Sequence, residues 1–179
     1  MNQIGYKQRI CTDQNKINEF LLQTRTGVLG MSQDGVPYAV PMNYVWHDGS
    51  IYFHGMGSGK KDDILSQMPT VCFTVYKENG TVTDPMPCHA DTAYMSVMIF
   101  GKVEKLTDFE EAAVALQKFI EKIMPGYYNT PMSAMLIEKY RSSMDGNRVA
   151  VYRLTPKDLT AKENAVEPGK MFEMKMTQS

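Results

Sequence analysis

The sequence predicts an α+β fold, mainly β: a closed or partly closed antiparallel barrel of six strands, decorated by three or four helices. Three observations carry this. Three apolar stretches follow one another across two tight turns, Gln33-Asp34-Gly35 and His47-Asp48-Gly49-Ser50, which makes a meander rather than a βαβ unit. Two further β-branched and aromatic runs, Val71–Tyr76 and Tyr94–Leu106, are long enough for strands of a sizeable sheet. The chain of 179 residues has no internal repeat and no linker, so residues 1–179 read as one domain.

The elements follow in order. Thr12 or Asp13 caps a first helix whose face is Ile17, Phe20, Leu21 and Leu22, with Gly27 as its stop. Val28–Ser32 is the first strand, Tyr38–Trp46 the second, Ile51–His54 the third. A helix capped by Ser58 covers 59–67 and stops before Pro69, because the residue before proline resists the helical conformation. Val71–Tyr76 is a strand, Asn79-Gly80 a turn, and Thr83–Asp91, with two prolines, a loop. Tyr94–Leu106 is a long strand with a bulge or close approach at Gly101. Thr107-Asp-Phe-Glu110 is a capping box opening a helix to Ile123, with Val114, Leu116, Phe119, Ile120 and Ile123 apolar and Pro125-Gly126 ending it. Thr130-Pro131 begins another, to about Arg141, with Met132, Met135, Leu136 and Tyr140 inward. Asn147–Leu154 is the last strand, and 156–179 reads as a polar C-terminal extension.

Bulk properties remove several function classes. Net charge is −1 and no basic block is present, which speaks against nucleic acid as a partner. No apolar run approaches a membrane span, and Met1–Arg9 has no hydrophobic signal core, so a cytoplasmic location is expected. Three widely spaced cysteines without a C-x-x-C pair argue against a disulfide framework or a structural zinc site. Cys88-His89-x-Asp91 reads as a polar connection rather than a metal site. Fifteen methionines indicate adaptable packing.

The chemistry concentrates in Ile51–Ser66. A strand ending in His54 leads through Gly55, Gly57 and Gly59 to Lys60 and Lys61 at a helix start. Glycines let backbone approach an anion, and N–H groups at a helix start point at it, with lysine charge alongside. The pattern is neither a Walker loop nor a Rossmann fingerprint, and its antiparallel setting opposes both. The plain alternative is a solvated turn. The neighbouring strand, Val40-Pro41-Met42-Asn43-Tyr44, carries a proline, which fits an edge or bulge. Asn43, on the same face as Pro41, can present an amide to the polar edge of a flat heterocycle. Alternatively Pro41 only protects an edge from aggregation. His54 titrates near neutrality and is the candidate reactive residue; the alternative is a hydrogen-bonded, partly buried His.

These segments together, Asp34–Tyr44, Ile51–Gly55, Gly59–Lys61, Val71–Val75 and Tyr94–Val97 with Gly101–Val103, resemble the flavin-binding split-barrel superfamily that includes pyridoxamine 5′-phosphate oxidase. They are most similar to its nitroimidazole-resistance, nitroreductase-like branch, over most of residues 20 to 155. The resemblance implies a homodimer with FMN in clefts between subunits, FAD being the alternative. It implies that Gly59, Lys60 and Lys61 hold the phosphate. Val40, Pro41, Met42 and Asn43 would lie along the isoalloxazine, with Tyr52, Phe53, Tyr94 and Ser96 completing the site and His54 as the catalytic residue. Arg153-Leu-Thr-Pro156 is faintly similar to the substrate-binding arginine motif of the oxidase, but no tryptophan precedes it closely, so vitamin B6 oxidation is not expected.

The expected function is therefore a flavin-dependent reductase. It takes electrons from a nicotinamide or other small reductant and passes them to a small electron-poor acceptor such as a nitroimidazole. A non-enzymatic flavin-binding or sensing protein is the alternative. A haem-related role is a third reading, for which no axial ligand stands out.

Overall fold

In the computed structural model, residues 5–143, 145–166 and 169–173 are described. The two short turns set the register of the N-terminal half. Asp34 and Gly35 have φ of 52° and 78°, and Asp48 and Gly49 have 45° and 68°. Two successive residues in the left-handed region make the turn whose twist matches that of antiparallel strands. They join β1 (Thr26–Gln33) to β2 (Val36–Asn43) and β3 (Val45–His47) to β4 (Ser50–Gly55).

The strand expected over 38–46 is two strands, so the sheet has seven rather than six. The break falls at Tyr44, whose N–H donates to the Arg25 carbonyl and whose hydroxyl donates to the Leu21 carbonyl at 2.9 Å. With the side chain buried and both groups committed to the first helix and to the connection that follows it, the chain leaves β2 and restarts as β3. β5 (Thr70–Val82), β6 (Asp91–Lys105) and β7 (Ala150–Asn164) complete one antiparallel sheet in the order β2-β1-β5-β6-β7-β4-β3. The end strands β2 and β3 are not paired, so the sheet is not closed. Yet Leu29, Ile51, Phe53, Phe73, Val97, Ile99, Tyr152 and Leu154 form a single buried cluster, against which Tyr38, Val40 and Met42 pack. The sheet therefore curls around its own core, leaving a split between its two ends.

α1 (Gln14–Gln23) and α2 (Lys60–Gln67) add Ile17, Phe20, Leu21, Ile64 and Leu65 to that core. A second cluster lies on the other face of β3, β4 and β7. There Val45, Tyr52 and Val151 meet Ala112, Ala113, Ala115, Leu116 and Phe119 of α3 (Phe109–Ile123) and Ile137 of α4 (Ala134–Lys139). The Lys122 ammonium ties α3 to the first cluster through the Leu21 and Tyr44 carbonyls, at 3.3 and 3.2 Å.

Other boundaries differ from expectation for local reasons. Asp13, not Thr12, caps α1, accepting from the Asn15 and Lys16 amides at 3.0 and 3.1 Å. Leu22 is exposed, and Gly27 is not a helix stop but a β1 residue. A side chain on Gly27 would meet the Phe73 ring at 2.3 Å. Asn79-Gly80 lies inside β5 as a register shift, not at a turn. Asp108 rather than Thr107 caps α3. Val114, Met135 and Leu136 face solvent, and the buried residue of α4 is Ile137. Ser133 caps α4, so that helix starts later than Thr130-Pro131 and ends at Lys139. β7 runs to Asn164, so the expected polar extension begins as sheet; its last residues, 174–179, lie outside the described residues. Gly101 is a bulge as expected: the register shifts there and its missing Cβ would stand 2.1 Å from the Thr155 carbonyl oxygen.

Candidate functional site

The split has two free backbone edges. One is β2, the end strand carrying Val40, Pro41, Met42 and Asn43. The other is the C-terminal half of β4. β3 pairs only with Ser50, Ile51 and Tyr52, so Phe53, His54 and Gly55 have β7 on one side and no strand on the other. Pro41 on an end strand removes no ladder bond. Along β2 the side chains alternate: Val40 and Met42 pack on the core, Pro41 and Asn43 face out.

α2 starts at the end of β4 and reaches both edges. Its N-cap is Gly59, not Ser58, and no side chain caps its first turn. Gly59 has φ of 92°, which favours glycine, and open space where a Cβ would point. Lys60 turns to β2, its ammonium 4.5 Å from the Tyr38 ring centre. Lys61 turns to β4 and β7, over the rings of Phe53 and Tyr152 at 5.6 and 5.0 Å. Gly55 makes room for it, since a Cβ there would stand 2.6 Å from the Lys61 Nζ. Among the described residues neither lysine has an ion-pair partner. Burial, with Lys105 adding repulsion against the pull of Asp62, lowers the pKa of Lys61. Next to it, Asp62 accepts from the Tyr152 hydroxyl on Oδ1, while its Oδ2 is buried without a partner among the described residues. Burial raises the Asp62 pKa against the opposing charges of Lys61 and Lys105.

His54 points away from the barrel core, toward α3. Its imidazole meets the Phe119 ring edge-on at 4.9 Å and borders a cavity of about 180 Å³. Leu116, Ile120, Ile123, Met124 and Met132 make the rest of that wall apolar. The desolvation of the ring against Phe119, and secondly the Lys61 charge, lowers the His54 pKa, although the residue as a whole is exposed. Near pH 7 the ring is then mostly neutral, with one N–H to donate and one lone pair to accept.

The structure keeps Gly59, Lys60 and Lys61 at one helix start, with Lys60 on Tyr38, two residues before the Val40–Asn43 segment of β2, whereas His54 at the end of β4 turns to the other face, toward Phe119. Phe53 and Tyr52 are close in sequence, but their rings are core: Phe53 stacks on Tyr152 at 5.0 Å, and the Tyr52 hydroxyl donates to Glu111. Tyr94 and Ser96 are not at the cradle. They stand on the outer face of β6, whereas Lys105, which touches Gly57, is at the other end of that strand, roughly 30 Å away at the usual rise. Three contributors escaped the sequence reading: Tyr38, Asp62 and Tyr152. Asp62 sits inside the glycine-lysine segment, but nothing local says that its partner is a tyrosine from β7.

The family model for pyridoxamine 5′-phosphate oxidase matches residues 13–163, a span that contains both edges, α2 and β7. The chain belongs to this family. No curated protein matches it. Among solved structures, a putative 5-nitroimidazole antibiotic resistance protein from Bacteroides thetaiotaomicron is 27% identical, with a TM-score of 0.63, over 86% of this chain and 85% of that one. The flavocytochrome Anf3 from Azotobacter vinelandii shares the fold at 23% identity and a TM-score of 0.76, over 97% and 76%. So does a FAD- and haem-binding protein from Mycobacterium smegmatis, at 15% and 0.71, over 93% and 77%.

Proposed function

We propose that this member of the pyridoxamine 5′-phosphate oxidase family is a flavin-dependent reductase. It acts as a homodimer on a small electron-poor acceptor of the nitroimidazole kind. The observation that carries the reading is the pair of unpaired strand edges flanking a helix start without a side-chain cap, with two lysines that lack carboxylate partners among the described residues. Such a place fits a phosphate joined to a flat, hydrogen-bonding ring. Lys60, Lys61 and the first-turn N–H groups of α2 bind the phosphate charge. The free backbone of β2 and of Phe53–Gly55 orients the polar rim of the ring. The unpartnered Asp62 Oδ2 accepts from a hydroxyl of the linking chain. A bound flavin, FMN or FAD, supplies the electron transfer itself.

His54 holds or gives a proton at the imidazole nitrogen that faces the acceptor, and the apolar residues from Leu116 to Met132 border that site. Similarity to the nitroimidazole resistance protein supports the acceptor class. Oxidation of a vitamin B6 phosphate is disfavoured at Arg153. Its guanidinium is taken by Glu104 and Glu111, at 2.8 and 2.7 Å.

The purified protein should be yellow and release FMN or FAD on denaturation. It should then oxidise NADH or NADPH in the presence of a nitroimidazole. Protein that binds neither flavin at micromolar concentration overturns the reading. Flavin-loaded protein that no reductant or acceptor turns over leaves the non-enzymatic flavin carrier in its place.

A further inference from the structure

A cleft of about 630 Å³ opens on the glycine turn, and its charge is one-sided. Gly57 and Ser58, the end of β6 at Lys105, the start of α3 at Phe109, and Arg141 and Arg148 ahead of β7 contribute to its wall. Three cationic side chains line it and no carboxylate does. Among the described residues none of the three forms an ion pair. Each is instead held by something neutral. The Lys105 ammonium donates to the Gly57 carbonyl at 3.3 Å. Arg141 Nη1 donates to the Glu138 and Tyr140 carbonyls at 2.7 and 2.8 Å, and among the described residues its other nitrogens have no hydrogen-bond partner. The Arg148 guanidinium lies over the Phe109 ring at 5.5 Å. Asp145, the acid between the two arginines in sequence, is engaged by the backbone and side-chain amides of Asn147.

Three like charges around one cleft repel unless an anion answers them. The volume is that of a small-molecule site, and a phenyl ring with a guanidinium over it offers a base both an aromatic face and a cation. We propose that this cleft binds the nucleoside diphosphate part of a dinucleotide, with the phosphates against Lys105, Arg141 and Arg148 and the base against Phe109 and Arg148. It is separate from the Lys60–Lys61 cradle but shares the glycine turn with it. Two dinucleotides present this chemistry if the flavin-reductase reading holds: FAD, through its adenylate half, and a nicotinamide donor.

ADP is the probe, titrated into the protein as purified and followed by calorimetry. Saturable binding is expected, weakening as salt is raised. The double variant R141E/R148E should lose at least tenfold in ADP affinity and bind FMN as the unmodified chain does. If the double reversal impairs folding, Arg148→Gln alone decides between the same two results. A larger loss of FAD than of FMN affinity in the variant assigns the cleft to FAD. A raised KM for NADH or NADPH with the FAD-to-FMN preference unaltered assigns it to the donor. If neither changes, the dinucleotide assignment is overturned. No saturation by ADP to millimolar concentration, or equal ADP affinity in both proteins, overturns the cleft altogether. Protein that binds neither FMN nor FAD at micromolar concentration but still binds ADP would overturn the flavin reading and leave this one standing.

Discussion

At Lys60 and Lys61 two positive charges stand with aromatic rings for neighbours, and a ring face is a weak substitute for a counter-ion. Replacing both by alanine should weaken flavin binding about tenfold or more, since each charge-assisted contact is worth roughly 1.5–3 kcal/mol. Titration of flavin fluorescence reads this directly, and an unchanged affinity would assign both lysines to a solvated face. His54 gives a pH-dependent signature. Its folded-state pKa lies below the ordinary value, so below pH of about 6.5 the unfolded chain takes up the proton more readily than the folded one. Stability is therefore present above that pH and falls as the pH drops through the lowered value. His54→Gln should flatten this part of the urea-denaturation profile between pH 7 and 5 and should abolish turnover while flavin stays bound. A variant with the same acid slope as the parent would show that the ring is more solvated than its contacts with Phe119 imply. Lys60, Lys61 and His54 were legible in the sequence because glycine spacing and charge are local. Tyr152 and Asp62 were not, because their pairing is made by a strand from the other end of the chain.

At the scale of elements, the strong local signals held and the ambiguous ones were decided by tertiary partners. Asp-Gly at 34–35 and 48–49 specified two hairpins because both residues take left-handed conformations there. Asn79-Gly80 carries the same dipeptide signal, yet β5 runs through it as a bulge paired to β6, and the turn is displaced beyond Val82. Tyr44 gave no warning of the strand break, since its partners, Leu21 in the first helix and Arg25 just after it, are about twenty residues earlier in the chain. β7 continued past Pro156 because β6 offers it a full-length partner, and Pro156 falls opposite Gly101 at the register shift. That opposition leaves no room for a Cβ at Gly101. A Cβ there meets a backbone oxygen, which cannot rotate away as a side chain would. Gly101→Ala should cost about 1–3 kcal/mol, the range for overpacking, read as a lower urea midpoint. A stability equal to the parent's would mean that β6 and β7 slide at the bulge.

For the whole molecule, the unsettled surface is the outer face of β2, β1, β5 and β6. Register places Pro41 beside Val28, Val28 beside Thr74 and Thr74 beside Met98, with Cys72 beside Phe100 in the next row. Val28, Tyr76, Met98 and Phe100 are 38–51% exposed, so an apolar face runs across four adjacent strands. Continuous faces of this kind mark association sites more often than free surface. Tyr94 and Ser96 share the β6 side of Met98 and Phe100, which one chain cannot bring to its own cradle. If the proposed homodimer packs through this face, those two residues, remote within one chain, are expected to reach a flavin held by the other. The double variant M98E/F100E should then raise the dimer dissociation constant by ~100-fold or more. Losing the burial of two apolar side chains forfeits at least about 3 kcal/mol. Light scattering on a size-exclusion column should show a dimer for the parent and a monomer for the variant, with flavin content falling in step and far-ultraviolet circular dichroism unchanged. A parent that runs as a monomer while holding its flavin would overturn the dimeric site. A variant that stays dimeric would move the interface to another face.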